Sequence, residues 1–162
     1  MSVIQEFLKA NERYAASFKK GSLPMPPARH VAVVACMDAR LDPARVLGLE
    51  EGDAHVIRNA GGRAADAERS LVISQQLLGT REIVVIHHTD CGMLTFTDDQ
   101  LRTKIREGLG QETKEEFLPF KDLDQSVRDD VDALRRSRLL MPNLPVTGFV
   151  YDVKTGKLRQ VT

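Results

Sequence analysis

The sequence has no tryptophan, aromatic residues make up only 5% of it, and its acids and bases cancel to a formal net charge of zero. A chain without a charge excess offers no electrostatic footprint for a nucleic-acid backbone or an anionic membrane surface. Long hydrophobic runs are also missing. The most apolar stretches are short ones such as "VAVVAC" and "EIVVI", far below the ~20 residues of a bilayer crossing. The first segment, "MSVIQEFLKANERYAASF", carries charges inside its apolar pattern and lacks a leader-like apolar core, so the cytoplasm is the expected compartment. Cysteine is scarce, with 2 in 162 residues. In a reducing compartment such a pair is more often reactive or metal-binding than disulfide-linked. No internal repeat or low-complexity segment stands out.

What remains is an ordinary globular composition, 42% hydrophobic and 28% charged, in a length that fits one domain over residues 1–162. Ser2 with Gln5 forms a candidate capping box, and Ile4, Leu8, Ala15 and Phe18 recur at helical spacing. The prolines of "GSLPMPPARH" end that helix. Residues 1–29 are thus expected to be a helical arm packed on a partner subunit. "VAVVAC" is β-branched and continuously apolar, as in a strand buried on both faces of a parallel sheet. Asp42 with Pro43 opens a short helix that Gly48 stops. "AHVIRNAGG" reads as a second strand running into a glycine loop, and a helix from about Asp66 to Leu78 follows. "EIVVIHH" is the third strand. Thr97 with Gln100 and then Asp122 open two further helices, and "VTGFVYDV" and "KLRQV" close the chain as strands around "KTG". This alternation predicts a three-layer α/β domain with a mostly parallel sheet, order 2-1-3-4, plus one antiparallel edge strand. Its topological switch point, where open α/β sheets bind ligands, lies between strands one and three.

Both of those strands end in metal-ligating chemistry. Cys36 closes the first, and "HHTDCG" follows the third, with His88 and Cys91 at a spacing that lets one loop aim both at a point. Two thiolates and an imidazole suit zinc better than the oxygen-seeking cations. Three protein ligands leave a position open, as catalytic zinc sites do. In "CMDAR", Cys36, Asp38 and Arg40 share a face if the chain stays extended. A planar guanidinium would keep Asp38 ionised, and an ionised carboxylate only accepts hydrogen bonds, so Asp38 would orient the attacking water. His87 should point to the opposite face and pack or hydrogen-bond there. His30 and His55 read as ordinary histidines, Asp90 as a solvated loop acid in reach of a ligand, and Arg58 as an intersubunit or core ion-pair residue.

On "CMDAR", "RNAGG" and "HHTDCG", in this order and separation, the sequence resembles the β-class carbonic anhydrases. The likeness covers most of the chain. "PMPP", "ACMDARLD" and "CGMLTFTDD" resemble the small mycobacterial-type branch. The resemblance implies zinc held by Cys36, His88 and Cys91, with Asp38 and Arg40 as the catalytic dyad. It implies reversible hydration of carbon dioxide to bicarbonate and a proton. It also implies a homodimer or tetramer whose N-terminal helices wrap over their partners.

Three rival readings follow from the same residues. Carbonyl sulfide hydrolases share the five site residues and the chemistry of attack on a linear carbon. A non-catalytic zinc or redox module would need a closed four-ligand site or a reactive cysteine pair, and the remaining candidate ligand, Asp38, is tied to Arg40. An anion- or nucleotide-binding module on "RNAGGRAAD" lacks both the dinucleotide and the Walker A glycine patterns.

Overall fold

A computed structural model describes residues 2–162. Strand β1 (Val31–Cys36) lies inside a five-stranded sheet with β2 (Ala54–Asn59) on one side and β3 (Glu82–His88) on the other. Beyond β3 come β4 (Val146–Tyr151) and the short β5 (Leu158–Gln160), giving the order β2-β1-β3-β4-β5. All pairings are parallel except β4 with β5, as the final hairpin predicts.

The continuous apolar run of β1 is explained by burial on both faces. Ala32 and Val34 belong to a core shared with helices α3 (Ala64–Leu78) and α5 (Leu123–Arg136). Val33 and Ala35 enter a second core on the other face, with Leu41, Ile86 and Phe120 and with side chains of the short helix α2 (Pro43–Leu47). Neither face of β1 could accept a polar residue without leaving it unsatisfied.

Helix ends follow the sequence signals with two exceptions. Asp42 caps α2 through the N–H groups of Ala44 and Arg45, and Gly48 ends it at φ 62°. Thr97 and Gln100 form a complete capping box on α4 (Asp98–Leu109), and Asp122 caps α5. Ser2, however, makes no side-chain cap on α1 (Val3–Ser17); only its carbonyl accepts, from the N–H groups of Gln5 at 3.0 Å and Glu6 at 3.4 Å. Helix α3 starts at Ala64, earlier than Asp66, because a distant residue caps it. The buried carboxylate of Asp130, on α5, accepts from Ala64 N–H at 3.1 Å. Local spacing carries no sign of a cap contributed by another helix.

Helix α1 buries none of its residues within this chain. Tyr14 and Lys20 hold its end to Glu51. Ile4, Phe7 and Leu8 are about 60% exposed, so the apolar stripe read from the sequence is real but uncovered within the chain.

The second glycine of "RNAGG" brings backbone to backbone at the end of the sheet. Gly62 sits at φ 68°, and a Cβ there would fall 2.9 Å from Cys36 N and 2.9 Å from Ile86 O. We expect Gly62→Ala to combine ~1–2 kcal/mol of left-handed strain with ~1–3 kcal/mol of overpacking. Urea unfolding should therefore show a clearly lower midpoint at unchanged m-value. A midpoint equal to that of the parent protein would contradict the close approach.

Candidate metal centre

Because β1 and β3 are adjacent and parallel, their C-terminal ends open at the same edge of the sheet. Cys36 is the last residue of β1 and His88 the last of β3. The next loop turns back and delivers Cys91. Sulfur atoms from Cys36 and Cys91 and a ring nitrogen of His88 all lie within 4.8 Å of one another, and all three residues are buried. Both cysteines are free thiols.

The imidazole is set up as a donor of electrons. Its Nδ1 lies 2.8 Å from the carbonyl oxygen of Thr89, which only accepts, so Nδ1 carries the hydrogen. Nε2 is left with its lone pair. It is buried and has no hydrogen-bond partner. An orphaned buried nitrogen between two thiols is costly unless something electrophilic occupies the space. The donor set of two sulfurs and one nitrogen fits zinc.

The electrostatics agree. The hydrogen bond from Cys91 holds the Cys36 thiol well below its ordinary pKa against the opposing effect of burial, and the N–H groups of Asp38 and Gly61 add to it. Cys91, the donor in that bond, is pushed up by it and by burial. Each sulfur thus acts on the protonation of the other. A divalent metal between them would stabilise both as thiolates.

Asp38 faces this centre, with Oδ2 3.8 Å from His88 Nε2. The chain does not stay extended through "CMDAR", as a shared face for Cys36, Asp38 and Arg40 would require. It turns after β1, and Arg40 N–H donates to Asp38 Oδ1 at 2.8 Å. The Arg40 fork also closes on the same carboxylate, Nε to Oδ1 at 2.9 Å and Nη2 to Oδ2 at 2.8 Å. These bonds hold the Asp38 carboxyl well below the usual carboxylate range.

Among the described residues Arg58 makes no ion pair in the core of this chain. Its guanidinium donates to the carbonyls of Cys36, Asp38 and Leu41 at 2.7–3.0 Å and so pins the loop that carries Asp38. His87 behaves as expected. It points away from Cys36, is fully buried, and bonds Ser126 Oγ at 2.7 Å and Asp130 Oδ2 at 3.2 Å. His55 bonds Ser74, and His30 sits against the Gly79 carbonyl. Arg63 pairs with Asp130 at 2.9 Å, so the glycine loop does not present it as a free anion ligand. A cavity of about 310 Å³ opens onto the centre, walled by Met37, Gly61, Met93 and Phe96 beside Cys36 and Asp38. Its apolar walls suit a small uncharged molecule.

A family model described as carbonic anhydrase matches residues 31–158. Beta-carbonic anhydrase 1 of Mycobacterium tuberculosis is 50% identical over 163 residues, spanning 100% of this chain and 99% of the other. The chain belongs to the β-carbonic anhydrase family. The solved structure of a carbonic anhydrase from Glaciozyma antarctica superposes with a TM-score of 0.95 at 53% identity, covering 100% of both chains. A more distant relative, the carbon disulfide hydrolase of Saccharolobus solfataricus, is 34% identical over 182 residues and covers 97% of this chain and 88% of its own. This β-carbonic anhydrase fold therefore also carries an enzyme named for another linear carbon substrate.

Proposed function

We propose that this β-carbonic anhydrase family member catalyses the reversible hydration of carbon dioxide to bicarbonate and a proton, with one zinc ion held by Cys36, His88 and Cys91. The observation that carries the reading is the partnerless Nε2 of His88, buried between two thiols and facing the Asp38–Arg40 pair. Bound zinc supplies Lewis acidity and lowers the pKa of a water at its open position. The chain's own residues do the rest. Asp38, kept ionised by Arg40, offers only acceptor oxygens, so a water beside it must donate to the carboxylate and turn a lone pair toward the substrate. Met37, Met93 and Phe96 hold the substrate in an apolar space next to that oxygen. Arg58 keeps the Asp38 loop from shifting between turnovers.

The exposed apolar stripe of α1 supports a homodimer or tetramer in which this helix lies on a neighbouring copy. Two free cysteines at the centre support work in a reducing compartment, the cytoplasm. Among the described residues no helix is long and apolar enough to cross a membrane.

Hydrolysis of carbonyl sulfide or carbon disulfide is the second reading, favoured by the carbon disulfide hydrolase relatives and by the apolar cavity. Stopped-flow hydration of carbon dioxide and sulfide release from the two sulfur substrates, measured on the same zinc-loaded protein, separate the two. We expect kcat/KM to be highest for carbon dioxide. A higher value for either sulfur compound would reverse the assignment, and bound zinc with no turnover of any substrate would leave a non-catalytic zinc module.

A further inference from the structure

We propose that Asp90 is a positioning residue for the Asp38–Arg40 pair, gripping Arg40 on the edge that Asp38 does not hold. The inference rests on the reaction proposed above. Asp90 lies in the loop between His88 and Cys91, and its side chain is 70% exposed, so packing gives no reason for it. Its backbone is left-handed, at φ 54°, a conformation that Asp and Asn adopt more readily than other non-glycine residues. That turn aims two of its oxygens at one guanidinium. Oδ2 accepts from Arg40 Nη1 at 2.7 Å, and the backbone carbonyl accepts from Nη2 at 2.9 Å.

On its other edge, the same guanidinium holds Asp38 through Nε and Nη2. A planar group bonded along two edges can neither slide nor rotate out of its plane. Bonded along one edge only, Arg40 would be a half-exposed side chain on a flexible stem, and the carboxylate paired with it would share that freedom. As a surface ion pair, Arg40–Asp90 adds little to stability. Its consequence is orientational. It ties the loop after β1, which carries Asp38, to the loop after β3, which runs from His88 to Cys91 and carries the latter. Catalytic groups lose rate steeply with small displacements. Asp90 thus sets where Asp38 stands without touching substrate.

The test uses the full-length, zinc-loaded protein and two substitutions with opposite expectations. Asp90→Gly accepts the left-handed backbone and deletes the carboxylate. It should lower kcat for carbon dioxide ~10- to 100-fold, with zinc content unchanged. Asp90→Asn keeps an acceptor oxygen and the backbone preference, and should restore kcat to within ~3-fold of the parent, a change of under one kcal/mol in barrier. In an Arg40→Lys background, Asp90→Gly should add little further loss, because both changes break the same clamp.

A second readout needs no turnover. The Nε–H resonance of Arg40 in ¹⁵N NMR, assigned by its loss in Arg40→Lys, should be protected from solvent exchange in the parent and in Asp90→Asn, and exchange-broadened in Asp90→Gly. Parent-like kcat and a protected Nε–H in Asp90→Gly would overturn the proposal, as would equal losses in the Gly and Asn variants. Should the parent itself hydrate no carbon dioxide, the functional reading fails, while the NMR comparison still decides whether Asp90 clamps Arg40.

Discussion

Asp38→Asn should lower kcat/KM for carbon dioxide by ~10²–10⁴, the usual contribution of a positioned acid–base group, while zinc remains bound. The change is nearly isosteric and leaves an oxygen for the Arg40 fork. What it removes is the acceptor-only character of the group. An amide presents two N–H donors as well as its oxygen, so a water beside residue 38 is no longer obliged to donate toward it. Arg40 also loses the negative charge to which its Nε and Nη2 donate.

The sign of the pH dependence separates an orienting Asp38 from one that titrates during turnover. Arg40 holds the Asp38 pKa below its unfolded value. The stabilisation from the pair is therefore present above the unfolded carboxylate pKa and is lost only as pH falls through the depressed folded value. Between neutral and mildly acidic pH, Asp38 stays ionised, so any fall of activity there belongs to another group. The pH–rate profiles of the parent and of Asp38→Asn should differ in height and share their inflection. An inflection that disappears in the variant would assign the titration to Asp38 and contradict a purely orienting role.

Cys36→Ser should abolish measurable hydration and weaken zinc binding by more than the ~10–100-fold typical of changes around a ligand, because it deletes one of the three proposed ligands. Serine is small enough for the site, and the buried end of β1 should keep its strand pairing with Asn59. The hydroxyl is a far weaker acid than a thiol and a harder donor, so it does not replace a soft thiolate at zinc. The N–H groups of Asp38 and Gly61 that support the Cys36 sulfur would face a neutral hydroxyl in place of a thiolate. Competition against a chromophoric chelator measures the affinity, and far-UV circular dichroism verifies that the fold persists. A folded Cys36→Ser protein that binds zinc like the parent would remove Cys36 from the centre.

The parts of the molecule legible in the sequence are those governed by periodicity and strand adjacency. "VAVVAC" and "EIVVI" could only be strands buried on both faces. Once they are neighbours, Cys36 and the His88–Cys91 loop must meet. The hairpin and the caps at Asp42, Thr97 and Asp122 were equally local. What escaped depends on tertiary partners. The Asp130 cap on α3 joins residues 66 positions apart. Arg58 reads as half of an ion pair because a cation in a strand suggests a carboxylate, whereas in the fold it satisfies carbonyls of the turn after β1. The grip of Asp90 on Arg40 spans 50 positions and arises only because two loops leave the same sheet edge. Its one sequence signal was an Asp where a left-handed turn is needed. Nothing within this chain buries α1, so its apolar stripe was readable from spacing alone and no contact in the chain accounts for it.

The most direct measurement is the zinc content and zinc K-edge absorption of reduced, purified protein. A Cys36–His88–Cys91 centre predicts one zinc per chain with two sulfurs at ~2.3 Å and one imidazole nitrogen at ~2.0–2.1 Å, together with one further light atom. Substoichiometric zinc in reduced protein, a shell without sulfur, or a Cys36–Cys91 disulfide in the active preparation would contradict it.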